Sequence, residues 1–506
     1  MLSSCKSNNP VVYLISQEKI PMPPKLALFI CVIYVFLLLR LERKQTPNVS
    51  WVLWIPTAWM LVIAGKPLSI WFGSGDRDEG SPLDQIFLIS VFCLGVCILT
   101  SRRINLSRTI KENIPLMLLI GYTLLSVFWS EIPFITFKRW TREVIAVVMA
   151  LLVLSEKEPR QAMLSLLKRN IYILIPFSII LIKYFPEYGI QYRWNGGQMW
   201  IGVTLQKNGL GRLCMIAAFF LVWTFVRRWH RKDIPVDKRQ KLADLSVLIL
   251  TLFMLSGPGG QYSATALISF SAGLLIFVGL LWTKKNQIFP GANTLMVFLT
   301  VIFSLGTLQP FLGGALIKSA SSELGRDDTL TGRTEIWAGL LPDIMQRPFF
   351  GYGFASYWTE TRRGIHEIGE AHSGYFEVLL DHGLIGLLLI LIFLLSSCRK
   401  AQRELRHDFD WACLWICFLV MTTIHNYTES SLSSFTTQLP AILLFLAVSS
   451  VIPILSVTSN SSTSNYPTKM VTSRSRRLPI KPPRTKIHAM STTQNSKLCQ
   501  FIDKKS

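Results

Sequence analysis

Charge is what this sequence has little of. Only 16% of the 506 residues are charged while 50% are hydrophobic, and the mean hydropathy is +0.39. Soluble domains carry about 25% charged residues, so this balance points to a polytopic membrane protein. Ten-residue strands of alternating polarity are also missing, which argues against an outer-membrane barrel. No Walker motif, HExxH, G-x-S-x-G or paired CxxC is present, and the chemistries those motifs carry lose their support. The nine cysteines make no spaced framework in the polar loops. Cys31, Cys93, Cys97, Cys214, Cys413 and Cys417 fall inside apolar runs, where free buried thiols are expected rather than disulfides. Internal repeats and mid-span charges are scarce, which disfavours a transporter built from inverted repeats.

What is present is a succession of apolar runs of roughly 14 to 22 residues, close to the length needed to cross the hydrocarbon core. In lipid such runs must satisfy their own backbone, so helices are expected. The runs are Leu26–Leu39, Trp51–Ala64, Leu83–Thr100, Ile114–Trp129, Thr141–Leu154, Ile171–Tyr184 and Leu210–Val226. Then come Ala243–Leu255, Tyr262–Trp282, Asn293–Leu312, Tyr375–Leu395, Trp411–Ile424 and Pro440–Val457. The first lacks a small-residue cleavage site after it and reads as a retained helix. The expected fold class is therefore all-α, a polytopic transmembrane helical bundle of about 12–13 helices with a large extracytoplasmic, partly helical loop. The expected organisation is a polar N-terminal segment (1–25), N-terminal transmembrane helices (26–312), the large loop (313–374), C-terminal transmembrane helices (375–457) and a disordered basic tail (458–506).

The net charge of +22 does not call for nucleic acid. Basic residues cluster in alternate short connections, Arg102–Lys111, Lys157–Arg169, Arg227–Lys241, Lys284–Lys285 and Arg399–Arg406, and so mark one side of the membrane. That side is expected to be the cytoplasm and to hold the C-terminus, with membrane lipids around the spans. The long loop then lies on the outer face, out of reach of ATP and nucleotide sugars.

The loop gathers Arg326, Arg333, Arg347, Arg362, Arg363, His366 and His372 among glycines. His372 precedes the helix expected from Tyr375. A helix N-terminus disfavours imidazolium, so His372 is either a neutral base or a helix-entry histidine that bonds backbone or water. Thr331 or Thr334 is expected to cap a helix begun by Glu335 and Trp337. Arg333 then sits at a helix N-terminus, a diphosphate cradle, or is a surface arginine paired with Glu335 or Asp328. A second cluster holds Arg193, Lys207 and Asn208, the last two where the next helix starts. A cation and an amide at membrane depth indicate an anionic ligand, although Lys207 alone also suits snorkelling. Lys138, Arg139 and Arg142 add positive charge on the same side, and Glu429 is placed to pair with a loop arginine. Asp76-Arg77-Asp78 has the spacing of metal-dependent glycosyltransferases, but a solvated charge run is the better reading.

The segment from Leu324 to Trp337 resembles the bacterial O-antigen ligase / polysaccharide polymerase superfamily. So do the Pro348…Gly351-Tyr352-Gly353 turn, the entry Ala371-His372-Ser373-Gly374-Tyr375, and Gly383-Leu384-Ile385-Gly386. Weaker matches run outward to Trp129-Ser130, Gly202…Lys207-Asn208 and Asn426…Glu429. The resemblance implies a multi-pass plasma-membrane enzyme that moves a glycan from an undecaprenyl-diphosphate carrier onto an acceptor glycan or lipid A core, with inversion and with no metal or cofactor. It implies that His372 is the base and Arg333 the diphosphate clamp, with Arg193 at the basic position before the Lys-Asn helix. Polysaccharide assembly proteins are possible partners in such systems, and a flippase or a non-catalytic assembly component is the alternative reading. Two departures stand out. Ser373 replaces a frequent asparagine, and Ala264 stands where a Ser-x-Thr-Ala turn often carries Arg or Lys. Lys207 or Arg142 is expected to supply the missing charge, and the site is expected in a cleft between loop and bundle.

Overall fold

The computed structural model describes residues 22–449 apart from 74–80, 103, 193–195, 231–236, 258–262, 289–290, 292 and 313–327. In chain order the helices are α1 (Pro24–Gln45), α2 (Trp54–Ala64), α3 (Leu68–Phe72), α4 (Pro82–Ser101), α5 (Leu106–Glu112), α6 (Ile114–Leu125), α7 (Pro133–Leu154) and α8 (Pro159–Tyr184). After the short α9 (Pro186–Gly189), strands β1 (Ile190–Tyr192) and β2 (Gln198–Trp200) make an antiparallel hairpin in which Ile190 faces Trp200. There follow α10 (Lys207–His230), α11 (Lys238–Ser256), α12 (Ala264–Lys285), α13 (Thr294–Leu308), α14 (Asp328–Gln346), α15 (Glu360–His366), α16 (Gly374–Glu404), α17 (Phe409–His425) and α18 (Gln438–Ser449). Several begin as isolated-helix rules dictate: proline opens α1, α4, α7 and α8, where its missing N–H costs nothing. Serine caps α4, α12 and α16, Ser81, Ser263 and Ser373 each accepting a bond from an N–H of the first turn.

The all-α polytopic expectation holds, the small hairpin being an addition to it. Each predicted span coincides with a helix over its described residues. Among the described residues six helices, α1, α4, α8, α10, α12 and α16, are long and apolar enough to cross a membrane, or seven if α5 and α6, bent by 90° between them, count as one broken span. Trp51–Ala64, Thr294–Leu308, Phe409–His425 and Gln438–Ser449 are apolar but shorter. The remaining expected runs form helices that are shorter or carry more charge than those six.

Burial sorts centre from rim. Only 11% of the apolar window of α4 is buried, against 78% in α8. Helices α17 and α18 are apolar on all sides and buried on all sides, as a bundle centre requires. Around them α12 packs on α10 and α17, α16 on α6, α13 and α17, and α7 on α4 and α18. The outward faces of α1, α4, α11, α12 and α13 expose large aliphatic side chains such as Ile33, Leu94, Ile249, Leu275 and Val301, the surface a multi-pass membrane protein offers to lipid. The described cysteines are free thiols, as the sequence suggested, but Cys93 and Cys97, expected to be buried, are exposed on the outward face of α4.

One feature places the long loop. Helix α16 is broken at Gly383 (φ +62°, ψ −164°), a backbone region open essentially to glycine alone. A break frees N–H and C=O groups that must be paired at this depth. The loop segment 348–353 pairs them: Leu384 and Ile385 donate to the carbonyls of Pro348 (2.8 Å) and Phe349 (3.2 Å), while Tyr352 and Gly353 donate to those of Leu380 (2.8 Å) and Asp381 (2.9 Å). The approach is so close that a Cβ on Gly383 would lie 2.3 Å from the Phe349 backbone, and one on Gly351 2.6 Å from that of Asp381. Side chains add tethers. Trp358 donates to Glu377 (2.7 Å), Glu131 pairs with Arg362 (2.8 Å) and Arg347 (3.3 Å), and Arg139 donates to the Ala355 carbonyl.

Gly383→Ala is therefore expected to cost on the order of 2–3 kcal/mol or more, from a forbidden backbone region plus a backbone clash. The melting temperature in detergent checks this, with Gly364→Ala as the control, because a Cβ there meets nothing within 4 Å; equal losses in both would refute the reading.

Candidate active site between the long loop and the bundle

Trp337 and Arg333 lie one helical turn apart on α14 and share a face. Buried Trp337 donates its indole N–H to the Ala371 carbonyl at 2.9 Å, and the Ala371 N–H is taken by Glu377 Oε2 at 3.0 Å. Ala371 is thus fixed from both sides. Three residues later Gly374 donates to the Asn426 carbonyl at 2.9 Å, in a contact so tight that a Cβ on Gly374 would meet Asn426 Oδ1 at 2.1 Å. Between these anchors His372 takes a left-handed backbone, φ +48°. Such a conformation is uncommon for a residue with a Cβ and persists only where neighbours over-determine it.

Arg333 reaches Glu429 Oε1 at 3.3 Å, and the same oxygen accepts the Asn208 amide at 2.6 Å. Glu429 is buried. Burial lifts its carboxyl to about 7; Arg333 and Arg212 pull it down and Glu370 pushes it up. On the other side of Arg333, His372 Nδ1 lies 3.2 Å from Glu370 Oε1, and Gln206 donates to that oxygen at 3.3 Å. Burial holds the His372 imidazole below the ordinary value of 6.5; Glu370 opposes this and Arg333 adds to it. The ring is therefore neutral at neutral pH, with its base function available.

Of the sequence candidates, the structure brings together His372, Arg333, Asn208 and Glu429. Lys207 is half-buried at the same helix start as Asn208. Arg142 sits on α7 with Asp84 and Glu143 as its electrostatic partners, a different set from that of Arg333. Arg193, Arg326 and the Asp76-Arg77-Asp78 run lie outside the described residues. One local expectation is corrected. Helix α14 begins at Asp328, so Arg333 stands in the second turn and does not share an anion with free helix N–H groups; its carboxylate partner is Glu429, not Glu335 or Asp328.

Arg212 is the residue that sequence reasoning passed over. It lies within electrostatic range of Glu429 and Glu370. It follows Gly211, whose own close packing brings α10 against the start of α12: a Cβ there would touch Ser263 at 2.5 Å. The signal was an arginine inside an otherwise apolar span, which is costly unless it faces a polar site. Next to it stands His425, fully buried at the end of α17, with neither ring nitrogen hydrogen-bonded. Thr265 at the head of α12 meets Thr428 at 2.6 Å, closing that side. Four chain regions so converge: the head of α10, the end of α17 with the loop after it, α14, and the approach to α16.

The O-antigen ligase family model matches residues 249–391, from α11 through the loop to the broken α16. The chain is also 21% identical over 308 residues to the exopolysaccharide production protein ExoQ of Rhizobium meliloti (strain 1021), an alignment covering 57% of this chain and 65% of that relative. The chain therefore spans just under two thirds of the curated relative it matches.

Because Glu429 titrates near 7 when folded and at about 4.5 when free, its contribution to stability is full below pH 4.5 and is lost as pH rises toward 7. The melting temperature of Glu429→Gln, measured from pH 5 to 8, is expected to gain on that of the wild type as pH rises. Parallel curves would show that the carboxyl is not held in the way described.

Proposed function

We propose that this chain, which over residues 249–391 matches the O-antigen ligase family and is similar to an exopolysaccharide production protein, transfers a glycan from an undecaprenyl-diphosphate carrier onto an acceptor sugar hydroxyl at the outer face of the plasma membrane. The observation that carries this is the convergence of a neutral, backbone-strained histidine with two arginines at one end of the bundle. The long loop is then extracytoplasmic and the C-terminus cytoplasmic, as the alternation of basic connections indicates.

In this reading His372 takes the proton of the acceptor hydroxyl. Nδ1 lies 3.2 Å from Glu370 Oε1 without a hydrogen bond to it, and in this reading the neutral ring acts as the base. The hydroxyl oxygen forms a bond to the anomeric carbon as the bond to the diphosphate oxygen breaks, so the configuration inverts. Diphosphate already leaves readily. What it needs is cationic donors to hold its growing charge, and Arg333 and Arg212 are those donors. Arg212 takes the place of the charge missing at Ala264, in preference to Lys207 or Arg142, because Gly211–Ser263 packing sets it beside the α12 start. Glu429 and Asn208 orient Arg333, and Lys207 lies at the rim. Arg193 and Arg326 complete the donor site in this proposal. The acceptor is a growing polysaccharide repeat or a lipid A core.

Purified protein incubated with an undecaprenyl-diphosphate glycan and candidate acceptors tests this, with release of the carrier diphosphate as the readout. His372→Ala is expected to lose about 10²–10⁴-fold in turnover while still reaching the membrane; normal transfer would overturn the assignment. The acid limb of log kcat/KM is expected below pH 6.5, since the depressed histidine stays neutral there. A limb centred above that value would point to another base.

A further inference from the structure

We propose that Phe128, Phe349 and Phe350 form a lip of the long loop that is seated among the phospholipid acyl chains of the loop-side leaflet. Their side chains are 85%, 60% and 54% exposed, respectively, yet their backbones are firmly held. The Phe350 carbonyl accepts the Trp129 indole N–H at 3.3 Å, the two rings meet edge-on at 5.5 Å, and Phe349 is bonded to Ile385 at the break in α16. The exposure is a fixed presentation, and a contiguous apolar patch calls for an apolar partner.

Depth identifies that partner. Below the break, α16 runs from Leu384 to the cations Arg399, Lys400 and Arg403. From Leu384 to Arg399 is 15 residues, about 22 Å of helix. The hydrocarbon core is about 30 Å thick. With Arg399 at the far boundary, the level of Leu384, and of the phenylalanines bonded beside it, lies inside the near leaflet. The lipid-facing leucines run without interruption up to the lip, with Leu388 56%, Leu384 46% and Leu125 54% exposed. The loop is thus a lid resting on the bilayer rather than one standing in water. The inference needs only that the chain crosses the membrane, and does not depend on the reaction proposed above.

Nitroxide labels test it in the full chain reconstituted in phospholipid vesicles. The background carries Cys5, Cys93, Cys97 and Cys499→Ser, leaving the buried thiols in place, and labels enter at Phe128→Cys, Phe349→Cys and Phe350→Cys one at a time. Glu360→Cys and Glu367→Cys on the exposed side of the loop are the water controls. At the three lip positions collision with oxygen is expected to exceed collision with a water-soluble nickel chelate, and at the controls the order is reversed. Control-like accessibility at Phe349 and Phe350 overturns the proposal. Dipolar broadening between labels would also overturn it, by showing a second copy of the chain on the lip. Because the side chains face outward, these substitutions leave the fold intact, and the Phe128 label reads the same depth independently of the loop backbone.

Discussion

The arrangement of this protein depends on a backbone constraint: a helix broken at membrane depth must have its freed N–H and C=O groups paired. Gly383 makes the break, and the segment around Gly351 supplies the partners. Neither glycine tolerates a Cβ at that distance, so the pairing requires glycine on both sides of the contact. From that point the loop is held in a defined register against the bundle, and everything it carries inherits the register.

Buried carboxylates extend the same logic toward the site. Glu377 accepts from Trp358 and from Ala371, so one side chain ties two parts of the loop to the head of α16. Glu429 does the same for Asn208 and Arg333, which come from different helices. A buried carboxylate is expensive unless donors surround it; here the donors are the very groups whose positions matter. The cost is visible in the raised titration point of Glu429. In exchange the arginine of the loop and the amide of the bundle are brought to one oxygen atom, beside a histidine that burial keeps neutral.

The proposed lip would also position the described part of the loop relative to lipid. In the proposed seating the phenylalanine lip lies level with the outer end of the spanning half of α16, beside the carbonyls that pair the break.

The sequence by itself determined the membrane character, the helical class and the loop's importance, because scarcity of charge and the length of apolar runs act locally and leave their mark in composition. It also marked His372, Glu429 and Asn208, each beside a helix end whose signals are short-range. It placed the start of α14 too late and so misread the partner of Arg333, and it stopped just short of Arg212, because an arginine in an apolar run declares a polar neighbour without naming one. Which carboxylate each arginine meets, and that Gly351 and Gly383 face each other, are contacts between residues far apart in the chain. They exist only once the loop has docked into the broken helix, and only the tertiary structure decides them.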